Sequence, residues 1–70
     1  MVELTMGETI WMWRKRKGFS QMQLAEKSGV SVSAIKQYET GRQSPTFRAL
    51  SLIAAGLEME ILLTFEEVSP

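Results

Sequence analysis

The chain is 70 residues long, and its eight Lys and Arg are balanced by eight Glu, with no cysteine and no histidine. That length holds one small domain whose own core contributes marginal stability, so a second chain is an expected partner. Without cysteine or histidine there is no disulfide, no zinc site of the usual kind and no Cys-His or Ser-His pair, so neither enzymatic activity nor a metal or other cofactor is expected. The acidic start, Met1-Val-Glu-Leu-Thr-Met-Gly-Glu8, lacks the apolar core of a signal peptide. No apolar run approaches the roughly 20 residues of a membrane helix. The expectation is a soluble, cytoplasmic protein with no membrane partner.

The neutral total hides a polarised chain. All eight basic residues (Arg14, Lys15, Arg16, Lys17, Lys27, Lys36, Arg42, Arg48) lie between 14 and 48, where only Glu26 and Glu39 oppose them, leaving +6. Glu3 and Glu8 before that segment, with Glu58, Glu60, Glu66 and Glu67 after it, carry −6. Zero net charge argues against a polycation that coats nucleic acid, whereas a basic middle fits local phosphate contact. A solvated charged face is the plain alternative for the run from Arg14 to Lys17.

In chain order, Thr5 and Glu8 are spaced as a capping box, which predicts a helix over about residues 6–17 that Gly18 stops. Met6, Ile10 and Trp13 share one stripe of it, the expected core face. Trp11 and Met12 lie off that stripe, so they either pack beneath the C-terminal segment or form a docking patch for another protein. Ser20 caps a second helix, over about 20–28, with Leu24 and Ala25 facing inward and Gly29 ending it. Ser31 caps a third, over about 31–40. Ala25, Val30 and Ile35 would hold these two helices at a steep angle, leaving Val32, Ser33, Lys36 and Gln37 outward and Tyr38 in the core. A rigid helix with an outward polar face fits a major groove.

Ser44-Pro45 predicts a fourth helix, over about 45–56, with the serine as cap and the proline in the first turn. Phe47, Leu50, Ile53, Ala54 and Leu57 form its expected buried stripe, and Gly56 its left-handed terminator. From Leu57 the period changes to two, predicting a strand over about 57–66 whose apolar face is Leu57, Met59, Ile61, Leu63 and Phe65. A fifth helix is the alternative. A lone strand needs a partner, and its own copy would supply one as an antiparallel ribbon across a two-fold axis. Those five residues, with Trp11 beneath them, are the expected dimer interface.

Ser20-Gln21, Leu24-Ala25, Gly29-Val30-Ser31, Ile35 and Glu39-x-Gly41, followed by Pro45, resemble the Cro/lambda-repressor-type helix-turn-helix (XRE) family. Arg14 and Gly18 also match, and the likeness covers residues 6 to 57. It implies an all-α, four-helix lambda-repressor-like DNA-binding domain. The C-terminal strand used in dimerisation resembles that of antitoxin-like members. The resemblance also implies a partly buried ion pair between Arg14 and Glu39 that clamps the first helix to the third. Val32 and Ser33 match the family's base-facing positions, where valine suits a thymine methyl and serine bonds to more than one base. Gln37 suits a bidentate pair with adenine, and Lys36 reaches guanine acceptors or a phosphate. Gln21, through its side-chain amide and a helix N-terminal N–H, is expected on the DNA backbone, as are Ser31, Arg42, Lys15 and Lys17.

The expected function is sequence-specific DNA binding in transcriptional regulation, by a homodimeric repressor or antitoxin-type autoregulator. Its partner would be a double-stranded operator with two-fold related half-sites. A toxin or other protein is a further candidate partner. The alternative is a protein-interaction module on a helix-turn-helix scaffold, because fold does not fix function.

Overall fold

The computed structural model describes residues 3–62 and 64–69. Within them are four helices, α1 (Met6–Lys17), α2 (Gln21–Ser28), α3 (Val32–Glu39) and α4 (Phe47–Gly56), and no strand. Each helix begins where a hydroxyl satisfies an orphan first-turn donor. The Thr5, Ser20, Ser31 and Thr46 side chains accept from the N–H groups of Glu8, Gln23, Ala34 and Ala49 at 3.0–3.1 Å. Two of these caps are reciprocal. Glu8 Oε1 accepts from the Thr5 N–H at 2.9 Å, and Gln23 Oε1 from the Ser20 N–H at 2.8 Å. The Thr5 backbone N–H, and then its hydroxyl, hold the Glu8 carboxyl below the usual carboxylate range.

Ile10, Leu24, Ile35, Tyr38, Ile53 and Leu57 form one buried cluster drawn from all four helices and the residue after α4. Two glycines set how closely the helices approach around it. A Cβ on Gly7 would lie 1.9 Å from the Tyr38 carbonyl oxygen, so α1 rests directly on the backbone of α3. A Cβ on Gly56 would meet Ser28 backbone and side-chain atoms at 3.0–3.1 Å, so α4 and α2 are nearly as close.

These contacts revise several expectations. The inward face of α1 is Gly7, Ile10 and Arg14, with Trp13 half-buried, while Met6 is 47% exposed. Close approach at Gly7 rotates that face toward α3 and leaves Met6 at the edge. Thr46, two residues beyond Ser44, caps α4, and Phe47 at its first position is exposed. Gly56 is the last helical residue, and the left-handed position falls on Glu58, with φ of 60°. There the Met59 N–H donates to the Ala54 carbonyl and the Glu58 N–H to that of Ala55, at 2.8 and 2.9 Å, closing a Schellman turn.

A strand therefore does not begin at Leu57, which is buried in the core and cannot serve an interface between copies. Residues 59–62 and 64–69 carry no strand, since a ladder needs a neighbouring backbone and the single chain offers none. Leu63 lies outside the described residues. This C-terminal segment projects from the helices, giving principal extents of 47 × 21 × 21 Å and a radius of gyration of 13.1 Å. A compact chain of this length would have a radius near about 11 Å. Among the described residues, no helix is long and apolar enough to cross a membrane.

Candidate nucleic-acid interface

Helix α3 divides by its own periodicity. Ile35 and Tyr38 turn into the core, while Ser33, Lys36 and Gln37, spaced three and four apart, share the exposed face. Val32, at the first position, is half-buried beside that face. The turn before α3 is held by short-range bonds. Gly29, at φ 76°, donates its N–H to the Ala25 carbonyl at 2.9 Å, and the Val30 N–H donates to Ser28 Oγ at 3.1 Å. Ser28 is itself buried against Gly56, so α4 fixes the turn from behind.

The other end of α3 is fixed by a polar network. Arg14 donates from Nε to Glu39 Oε2 at 2.7 Å and from Nη2 to Glu39 Oε1 at 2.9 Å, a fork-to-fork pair. Its Nη1 donates to the Phe19 carbonyl at 2.8 Å, and Gln21 Nε2 donates to Glu39 Oε1 at 3.0 Å. The Arg14 and Glu39 side chains are 9% and 4% exposed, and no buried side-chain nitrogen or oxygen among the described residues lacks a partner. The Glu39 carboxylate thus ties α1, α2 and α3 together, and the arginine it holds ties in the α1–α2 turn.

Gln21 takes a place in this network that its sequence position does not announce. Its Nε2 gives one of its two N–H donors to Glu39 Oε1, which fixes the side chain at the start of α2 beside that helix's free first-turn N–H groups. Periodicity carries no trace of this bond, nor of the Phe19 carbonyl as an arginine acceptor. The one available signal was chemical, in that a buried arginine needs more acceptors than a single carboxylate supplies.

The remaining candidate residues are spread along the surface. Ser31 is exposed and occupied as the cap of α3. Arg42 is exposed just past α3, with its N–H on the Gln37 carbonyl at 2.9 Å. Lys15 lies 6.0 Å from the Trp11 ring centre and Arg16 lies 5.2 Å from that of Trp13, while Lys17 is exposed. Trp11 is half-exposed and lines a shallow cleft with Leu4, Glu8 and Met12. Met59 and Ile61 line a different cavity, and the tryptophan on it is Trp13.

The helix-turn-helix family profile matches residues 12–62. Over 61 residues, 86% of this chain, the sequence is 41% identical to the HTH-type transcriptional regulator SlrR of Bacillus subtilis (strain 168), covering 40% of that protein. It is 34% identical over 62 residues to the HTH-type transcriptional regulator SinR of the same organism, covering 87% of this chain and 56% of the relative. The Immunity repressor protein of Bacillus phage phi105 is 33% identical over 58 residues, covering 83% and 40% respectively. The chain therefore spans 40–56% of the length of these relatives. With the profile covering most of its length and the paired helices α2 and α3 set as described, the chain belongs to the Cro/lambda-repressor (XRE) type of helix-turn-helix family.

Proposed function

We propose that this chain is a sequence-specific DNA-binding domain of a transcriptional regulator, acting as a homodimer on an operator with two-fold related half-sites. The observation that carries this reading is the exposed polar face of α3, held at one end by the Ser28 turn and at the other by the Arg14–Glu39–Gln21 network. A helix so fixed enters the major groove without the cost of ordering itself first. Ser33, Lys36 and Gln37 then meet base edges, with Val32 beside them against a thymine methyl. Gln21, through its remaining amide N–H and the first-turn N–H groups of α2, meets the phosphates together with Ser31, Arg42, Lys15 and Lys17. Regulators and a repressor among the relatives support transcriptional control as the outcome. Two copies related by a two-fold axis would place two α3 helices one turn of DNA apart, with the C-terminal segments as the contact between copies. No catalytic step is needed for this role.

Gln37 carries the sharpest test. Gln37→Ala should cost about 1–3 kcal/mol at one base pair of each half-site and relax specificity there, leaving affinity for unrelated sequences unchanged. Titration of the variant against operators substituted at each position reads this directly. Equal weakening on every sequence would remove Gln37 from base reading.

A further inference from the structure

The outer edge of α1 and α4 bears an apolar groove of about 230 Å³ that the DNA-binding face does not use. Met6, Trp13, Leu50 and Ile53 of the helices line it, together with Met59 and Ile61 of the departing C-terminal segment. A cavity of roughly 150 Å³ with such a lining accepts a benzene ring. Beyond the groove, the same segment presents Leu62, Phe65 and Val68 to solvent, at 86%, 88% and 88% exposure. The molecule thus carries an unfilled apolar groove and an uncovered apolar tail.

We propose that the groove receives Phe65 from a second copy of this chain, in a reciprocal exchange of tails. The proposal deepens the homodimer reading above and rests on it. Charge supports this occupant. Glu66 and Glu67 directly follow Phe65, and the Arg16 guanidinium lies over the Trp13 ring at 5.2 Å, beside the groove. The tail's carboxylates therefore meet a cation once Phe65 is seated, and Glu60 on the groove's own lining disfavours the reversed orientation. Area supports it too. A buried aromatic side chain removes about 150–250 Å² from water. Leu62, Phe65 and Val68 from both chains, with the groove surfaces they cover, reach the order of 1,000 Å² that a specific interface requires.

The test uses two charge variants on exposed positions, followed by sedimentation of each alone and of their mixture. Met6→Glu places a carboxylate in the groove at the first residue of α1, where the helix dipole favours it, so the fold is retained. Phe65→Lys places a cation on the tail. Each alone should weaken self-association at least about tenfold. Mixed together they should associate again, because the heterodimer pairs one intact tail with one intact groove and sets the introduced lysine against the introduced carboxylate at the other. Association of Met6→Glu as strong as that of the unmodified chain would overturn the groove and leave the homodimer, with the tails pairing as a ribbon instead. Failure of the mixture to associate would overturn it as well. An unmodified chain that stays monomeric would remove the homodimer reading itself.

Discussion

Replacing Glu39 with alanine is expected to lower folding stability by about 3–5 kcal/mol, read as a fall in the urea midpoint at constant slope. The pair's own strength is only part of the reason. Its loss strands the Arg14 guanidinium in a site where its side chain is 9% exposed, and a buried charge without its counter-charge is far costlier than a broken surface pair. Gln21 Nε2 loses its acceptor at the same time. A domain of this size has on the order of 5 kcal/mol to lose, so the variant should be largely unfolded at 37 °C. Adding Arg14→Leu to Glu39→Ala should recover much of that stability, because replacing both partners with apolar residues leaves no stranded charge. A double variant as unstable as the single one would show that the cost lies in packing and not in charge.

Gly7→Ala is expected to cost about 3 kcal/mol, although alanine is the better helix former by roughly 1 kcal/mol at an interior site. The added Cβ would lie 1.9 Å from the Tyr38 carbonyl oxygen and 3.4 Å from the Glu39 Cα, and backbone cannot move aside as a long side chain can. Helix α1 must therefore tilt away from α3, which lengthens the Arg14–Glu39 bonds that hold the end of α3. DNA affinity should fall along with thermal stability. Gly56→Ala, whose nearest contacts are at 3.0–3.1 Å, is the control for a milder clash. Equal melting temperatures for Gly7→Ala and the unmodified chain would mean that α1 and α3 are not in backbone contact.

These two positions show what was legible in the sequence and what was not. The chemistry of helix ends is local, so Thr5, Ser20 and Ser31 were readable as caps from their own neighbours. Ser44 and Thr46 are two such caps two residues apart, and local chemistry does not choose between them. The inward faces of α2 and α3 followed from Leu24, Ile35 and Tyr38, since a strong apolar residue every third or fourth position has one face to bury. For α1 the same reasoning selected Met6 over Gly7, because periodicity scores apolar size and a close helix contact is made by its absence. The Arg14–Glu39 pair was reachable only through resemblance, as no spacing along the chain says that residues 25 apart meet. At the C-terminus the alternating pattern is real, but an alternating segment states only that one face wants cover. Whether that cover is a strand ladder or a groove depends on a second body.

The most direct test of the DNA-binding reading is titration of the purified chain against the duplex upstream of its own gene, at about 50 and 200 mM salt with random duplex as competitor. Six to ten phosphate contacts should weaken binding roughly 10³–10⁵-fold between those concentrations, and a tight complex should survive the competitor at the lower one. Binding to that duplex no tighter than to random sequence, followed by the same result across a library of randomised duplexes, would contradict sequence-specific recognition by α3.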